Sequence, residues 1–341
     1  MLKKLIIAGI VTIMAFGMAS TVYAQVQTHG FVLFRSIAAQ DEYTARVERY
    51  GIKFSEKMDE EFDWVTEIYI HPQLGVAAGR LYVESAYLNW NLADRLPWDM
   101  KIRMGRGRNY CYGQTPDYGK RRTSDYSLYS EAFTQMRVVG FQSFNTFGNV
   151  SVNVGLINPY TNGGRRLPDF PLGTSLGLPL SDRDTESSTF NRVAFTGRVG
   201  YLTDMINVGG SLYMTTAKDN AVVQPLSRMG VDAEIKTDMG LIGQVQYTMA
   251  TTQTAIDTEL DHAGYEVMGG YQMEKLGLFA RYGALTYDDQ MQELNSVMLS
   301  AVYKVRPRIH FRLEGLINGE GTDNGAEADN NVLFFETLFA W

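Results

Sequence analysis

The sequence predicts an all-β fold, a transmembrane antiparallel β-barrel of about 16 strands behind a cleaved signal peptide, with 14 or 18 strands as the alternatives. The two ends of the chain and the rhythm between them predict it. Residues 331–341 read N-V-L-F-F-E-T-L-F-A-W, which puts Leu333, Phe335, Thr337, Phe339 and Trp341 on one face of an extended strand. In a soluble domain so apolar a face would be an unprotected edge. The closing strand of a membrane barrel needs it, with an aromatic at the interface.

The other end carries Lys3 and Lys4, an apolar stretch from Leu5 to Met18, and Val22-Tyr23-Ala24. These are the basic, hydrophobic and small-residue parts of a secretory signal peptide. Residues 1–24 are therefore assigned to the leader and 25–341 to the barrel. The apolar stretch is short for a spanning helix, which takes about 20 residues. No Cys follows the cut, so lipoprotein processing is not expected.

From Gln25 onward the chain breaks into segments of about ten alternating residues separated by turn-rich stretches. Strands are expected near 28–36, 45–55, 62–70, 80–92, 99–106, 131–144, 149–157, 189–200, 206–216, 227–237, 241–251, 262–273, 278–287, 295–304, 309–317 and 331–341. Met100, Ile102 and Met104 alternate with Lys101 and Arg103; Ile309, Phe311 and Leu313 alternate with His310, Arg312 and Glu314. Bacterial barrels have short periplasmic turns and longer external loops. The gaps after even-numbered strands (93–98, 145–148, 238–240, 274–277, 305–308) are short, and the two long gaps, 107–130 and 158–188, both fall on the external side.

The chain has 31 Lys and Arg against 38 Asp and Glu, a net charge of −7. Loss of Lys3 and Lys4 with the leader makes it −9, which disfavours nucleic-acid binding. Cys111 is the single cysteine, so an intramolecular disulfide and a cysteine zinc cluster are excluded; it is a free thiol in a loop or a cross-link between chains. The four histidines are scattered and C-x-x-C-H is absent, so no metal or cofactor is expected.

With strand count, parity and a prominent third loop in place, the whole of 25–341 resembles a Gram-negative outer-membrane general porin. Within it, Lys101 to Pro116, K-I-R-M-G-R-G-R-N-Y-C-Y-G-Q-T-P, resembles the phosphate-selective porin group, where a basic strand leads into a Gly- and aromatic-rich loop. The resemblance implies a passive channel for small hydrophilic solutes or ions in the outer membrane of a diderm bacterium. It also implies contact with membrane lipid and lipopolysaccharide, a homotrimer, and delivery by the barrel-assembly machinery, with Phe335, Phe339 and Trp341 as the assembly signal.

The resemblance also implies that the third external loop, 107–130, folds into the barrel and narrows it. Arg103, Arg106, Arg108, Lys120, Arg121 and Arg122 would then form a basic constriction, and rings of Arg and Lys select anions. Along the wall, Arg35, Arg49, Arg198, Arg281 and Arg312 are expected to face the lumen, with Asp232, Glu234 and Glu314 opposite them as the acidic side of a transverse field. The same basic block could instead bind lipopolysaccharide phosphates at the rim or pair with carboxylates of neighbouring loops.

Two other classes compete. One is a sheath around a partner electron-transfer cytochrome. The other is an outer-membrane enzyme, for which the G-x-S-x-G match Gly173–Gly177 is the only motif. That match lies in a long loop and lacks the strand–turn–helix context a nucleophile elbow requires. The expectation is that the chain is no enzyme.

Overall fold

The computed structural model describes residues 26–39, 42–71, 80–114, 122–123, 127, 129–134, 137–158, 193–215, 224–253, 259–287, 292–320 and 331–341. The strands are β1 (Gln27–Ala39), β2 (Glu42–Lys57), β3 (Phe62–His71), β4 (Arg80–Asn91), β5 (Asp99–Arg108), β6 (Arg137–Phe147), β7 (Val150–Ile157) and β8 (Ala194–Leu202). They continue as β9 (Ile206–Thr215), β10 (Gln224–Lys236), β11 (Leu241–Gln253), β12 (Glu259–Gln272), β13 (Leu276–Tyr287), β14 (Gln292–Arg306), β15 (Ile309–Glu320) and β16 (Val332–Ala340). Each pairs antiparallel with its sequence neighbours, and β1 pairs with β16, closing the barrel. Closure leaves no sheet edge for lipid to meet, which is the condition for a β structure to span a membrane.

The β1–β16 ladder runs from Phe31↔Ala340 to Ala39↔Val332. Trp341 extends it, exchanging backbone hydrogen bonds with Gly30 at 2.9 and 3.1 Å. Connections after even-numbered strands are short throughout, as the expected parity requires. The two longest connections, 109–136 and 158–193, both follow odd-numbered strands.

Burial is inverted relative to a soluble barrel. On β16, Leu333, Phe335 and Phe339 are exposed outward while Val332, Phe334, Glu336 and Leu338 are buried inward. On β15, Leu313 and Ile317 face out and Arg312 and Glu314 face in; on β10, Met229, Val231 and Ile235 face out and Arg228 and Asp232 face in. Phe147, Tyr201, Tyr271, Tyr303 and Trp341 are exposed at the ends of their strands next to the short turns, where an interfacial aromatic girdle belongs.

Several strand ends differ from the sequence reading, and those flanking the third loop bear on the site. The third loop spans 109–136 rather than 107–130, because β5 continues through Gly107 and Arg108 and β6 begins only at Arg137. Gly105 and Gly140 are partners in the β5–β6 ladder, at φ 127° and 153°. A side chain at either would run into a carbonyl oxygen of the next strand, Ala86 or Leu156, so glycine lets the ladder continue where another residue would end it. Residues 130–134 form a π-helical turn instead of the start of β6. Ala132 and Phe133 in this turn are both fully buried.

Candidate functional site

The third loop folds into the lumen and is fastened to one half of the wall. The Asn109 amide donates to the Thr196 hydroxyl at 3.2 Å, and the Thr196 hydroxyl donates to the Cys111 carbonyl at 3.0 Å. The Gly113 amide donates to Ser211 at 2.9 Å, and Gln114 reaches Gln246 and Asp232. The Tyr112 and Tyr129 hydroxyls share Thr248, at 3.1 and 2.8 Å. On the returning arm Phe133 stacks on His262 with ring centroids 5.4 Å apart, and Arg228 donates to its carbonyl at 3.0 Å. Gly264 makes the space: a Cβ there would touch the Phe133 ring and Leu285. These anchors lie on β8–β12, and Arg281 to Thr123 and Ser300 to the Arg122 carbonyl add β13 and β14.

Among the described residues, the opposite half holds two cavities. A cavity of about 350 Å³ is lined by β1–β5, β15, β16 and Tyr110. A second of about 580 Å³ lies along β4–β6. Arg103, Tyr87 and Tyr110 line both. Both cavities lie to one side of the described part of the loop.

Of the six residues expected at the constriction, the four that are described do not gather in one ring. Arg103 lines both cavities and Arg108 the first. Arg108 lies 3.7 Å from Glu84, the carboxylate that also holds Arg137. Arg106 donates from Nε to the Val83 carbonyl at 2.9 Å and lines neither cavity. Arg122 sits across the lumen, paired to Glu234 at 2.7 Å. Lys120 and Arg121 lie outside the described residues.

The wall arginines Arg35, Arg49, Arg198, Arg281 and Arg312 are all buried inside the barrel. The expected separation of charge onto facing walls is corrected for Asp232 and Glu234, each of which lies beside a base. Asp232 takes both Arg198 Nε and Nη2, at 3.0 and 2.5 Å. Glu336 holds Arg35 at 3.0 Å and Arg312 at 2.5 Å. Glu234 binds Arg122 and Lys236, and Glu314 accepts from Ser300 at 2.7 Å. A charge withdrawn from water must meet its counter-charge at contact distance, which favours adjacent strands over facing walls.

Sequence reasoning missed Glu84, Glu266 and Glu336 as organisers of this network, and Lys53, Lys101 and Arg308 as cavity cations. Alternation pointed to Glu336, the one acid on the inward face of a strand whose outward face is apolar. Nothing local marked Arg308, which sits at the tight β14–β15 turn.

Cys111 is fully buried beneath the loop. Burial pushes its thiol up to about 12, Arg103 offsetting part of that. The thiol is thus no cross-link between barrels. Maleimide at neutral pH should label folded protein negligibly and unfolded protein fully; equal rates would contradict this burial.

No protein-family model and no curated relative matches the chain. Solved structures do match in fold. The outer membrane channel DcaP of Acinetobacter baumannii has a TM-score of 0.66 at 13% identity, over 94% of this chain and 99% of that one. The trimer form of OmpT, an outer membrane protein of Vibrio cholerae, gives 0.61 at 15%, over 93% and 99%. An anion-selective porin from Comamonas acidovorans gives 0.57 at 11%, over 94% and 100%. At such identities the likeness is one of fold, and the fold is that of porin-like outer-membrane barrels.

The same matches correct the expectation that the chain is no enzyme. OmpT, an outer membrane protein, matches along nearly its whole length. One fold hosts many functions, so the barrel gives no ground for setting enzymatic activity aside.

Proposed function

We propose that this protein is a passive diffusion channel of the outer membrane for small hydrophilic solutes, preferring anions and assembled as a homotrimer. The observation that carries the reading is the half-filled lumen: the third loop is fastened to β8–β14, and cation-rich cavities remain along β1–β6, β15 and β16. The trimer is supported by the trimeric form of the OmpT match and the anion preference by the Comamonas porin match. Phe335, Phe339 and Trp341, exposed on the outer face, suit a signal read by the assembly machinery before insertion.

Solutes would partition through a water-filled passage with no chemistry on the way. The positive charges that line it would lower the barrier for anions. Refolded protein in a planar bilayer is expected to give stable open steps in potassium chloride. A heat-modifiable barrel that inserts and never conducts would overturn the channel reading.

A further inference from the structure

Most cations in the lumen already lie beside a carboxylate. Arg35, Arg108, Arg122, Arg137, Arg198, Arg281 and Arg312 all lie within 4.0 Å of a carboxylate. Lys53, Lys101, Arg103 and Arg308 differ: among the described residues none of the four makes an ion pair. All four line the two cavities on the open side. The carboxylates facing them are Glu67, the cross-strand partner of Lys53, and Asp99, two residues before Lys101.

Arg103 stands at the junction and is held in an unusual way. Its guanidinium lies 3.9 Å from the ring centroid of Tyr87, 5.2 Å from Tyr110 and 5.4 Å from Phe144. Nε donates to Asn89 at 3.1 Å. The rings and this bond fix the plane of the group. Its Nη1 and Nη2 make no hydrogen bond to a described residue, leaving a rigid two-pronged donor edge.

Such an edge matches the two oxygens of a carboxylate. Around it the first cavity offers apolar and aromatic walls, Phe31, Val65, Tyr69 and Leu338, that suit the carbon body of an organic acid better than a fully hydrated inorganic ion. We propose that Arg103, with Tyr87 and Tyr110, is a binding station for small organic carboxylates, with Lys53, Lys101 and Arg308 drawing them toward it. The proposal deepens the channel reading and rests on it for the passage of the ligand, while binding itself can be measured without conduction.

The test is titration calorimetry of benzoate, and separately of inorganic phosphate, into folded detergent-solubilised barrel, alongside bilayer recordings on the same preparations. Wild-type protein is expected to bind benzoate saturably and more tightly than phosphate. Arg103→Gln should weaken benzoate binding about tenfold or more, the loss of a charge-assisted pair of hydrogen bonds. Arg103→Lys, which keeps the charge and removes the fork, should also weaken it. Retained heat-modifiability shows that each variant folds.

Benzoate affinity that is absent in the wild type, or unchanged in both variants, overturns the station. Phosphate binding as tight as benzoate overturns the carboxylate assignment. Benzoate binding that depends on Arg103 in a barrel that never conducts upholds the station and overturns the channel.

Discussion

Glu336→Ala is expected to destabilise the barrel by about 3–5 kcal/mol, the cost of stranding buried charge. The carboxylate holds Arg35 of β1 and Arg312 of β15, the two strands that flank β16. All three side chains are at most 5% exposed. Removing the acid leaves two guanidiniums confined together at the seam where the barrel closes. The urea midpoint of the folded, heat-modifiable form should fall clearly, and Glu336→Gln, which keeps an acceptor and the shape, should fall less. A midpoint within about 0.5 kcal/mol of wild type, the range of an ordinary surface substitution, would mean that the seam does not depend on this carboxylate.

Arg228→Ala should release the returning arm of the third loop. The Arg228 side chain is fully buried, its guanidinium 5.8 Å from the ring centroids of both Phe133 and Tyr213 and bonded to the Phe133 carbonyl. A charged hydrogen bond of this kind contributes roughly 1.5–3 kcal/mol, so its loss would raise the population of the detached loop by about ten- to a hundredfold. Larger or noisier unit conductance should follow, because the arm occupies lumen that would become passage. Conductance and noise identical to wild type would show that the loop is held without Arg228.

The fold was legible in the sequence because the membrane imposes a strict rule. A strand with lipid on one side and a polar interior on the other must alternate, and Ile309 to Glu314 does so residue by residue. Parity of the connections then fixed the strand count. The ends of the third loop were harder to read: β5 runs on to Arg108, and β6 begins only at Arg137, after a π-helical turn.

The site was less legible for a different reason. Sequence gives the inward face of each strand but not which acid lies beside which base. Arg198 and Asp232 were both placed on the lumen side, yet only the intervening β9 brings them together. Arg103 was one of six equivalent cations in sequence. Its difference comes from Tyr87, Asn89 and Phe144 on neighbouring strands, together with Tyr110 of the loop.

On the proposed channel reading, selectivity resides in the open-side cations rather than in the paired charges of the loop. The most direct measurement is the reversal potential under a potassium chloride gradient for wild type, for a variant with Lys53, Lys101, Arg103 and Arg308 all changed to Gln, and for Arg122→Gln. Anion preference in the wild type that is lost in the quadruple variant and kept in Arg122→Gln is the predicted result. Cation preference in the wild type, or a preference that survives the quadruple change and disappears with Arg122, would contradict it.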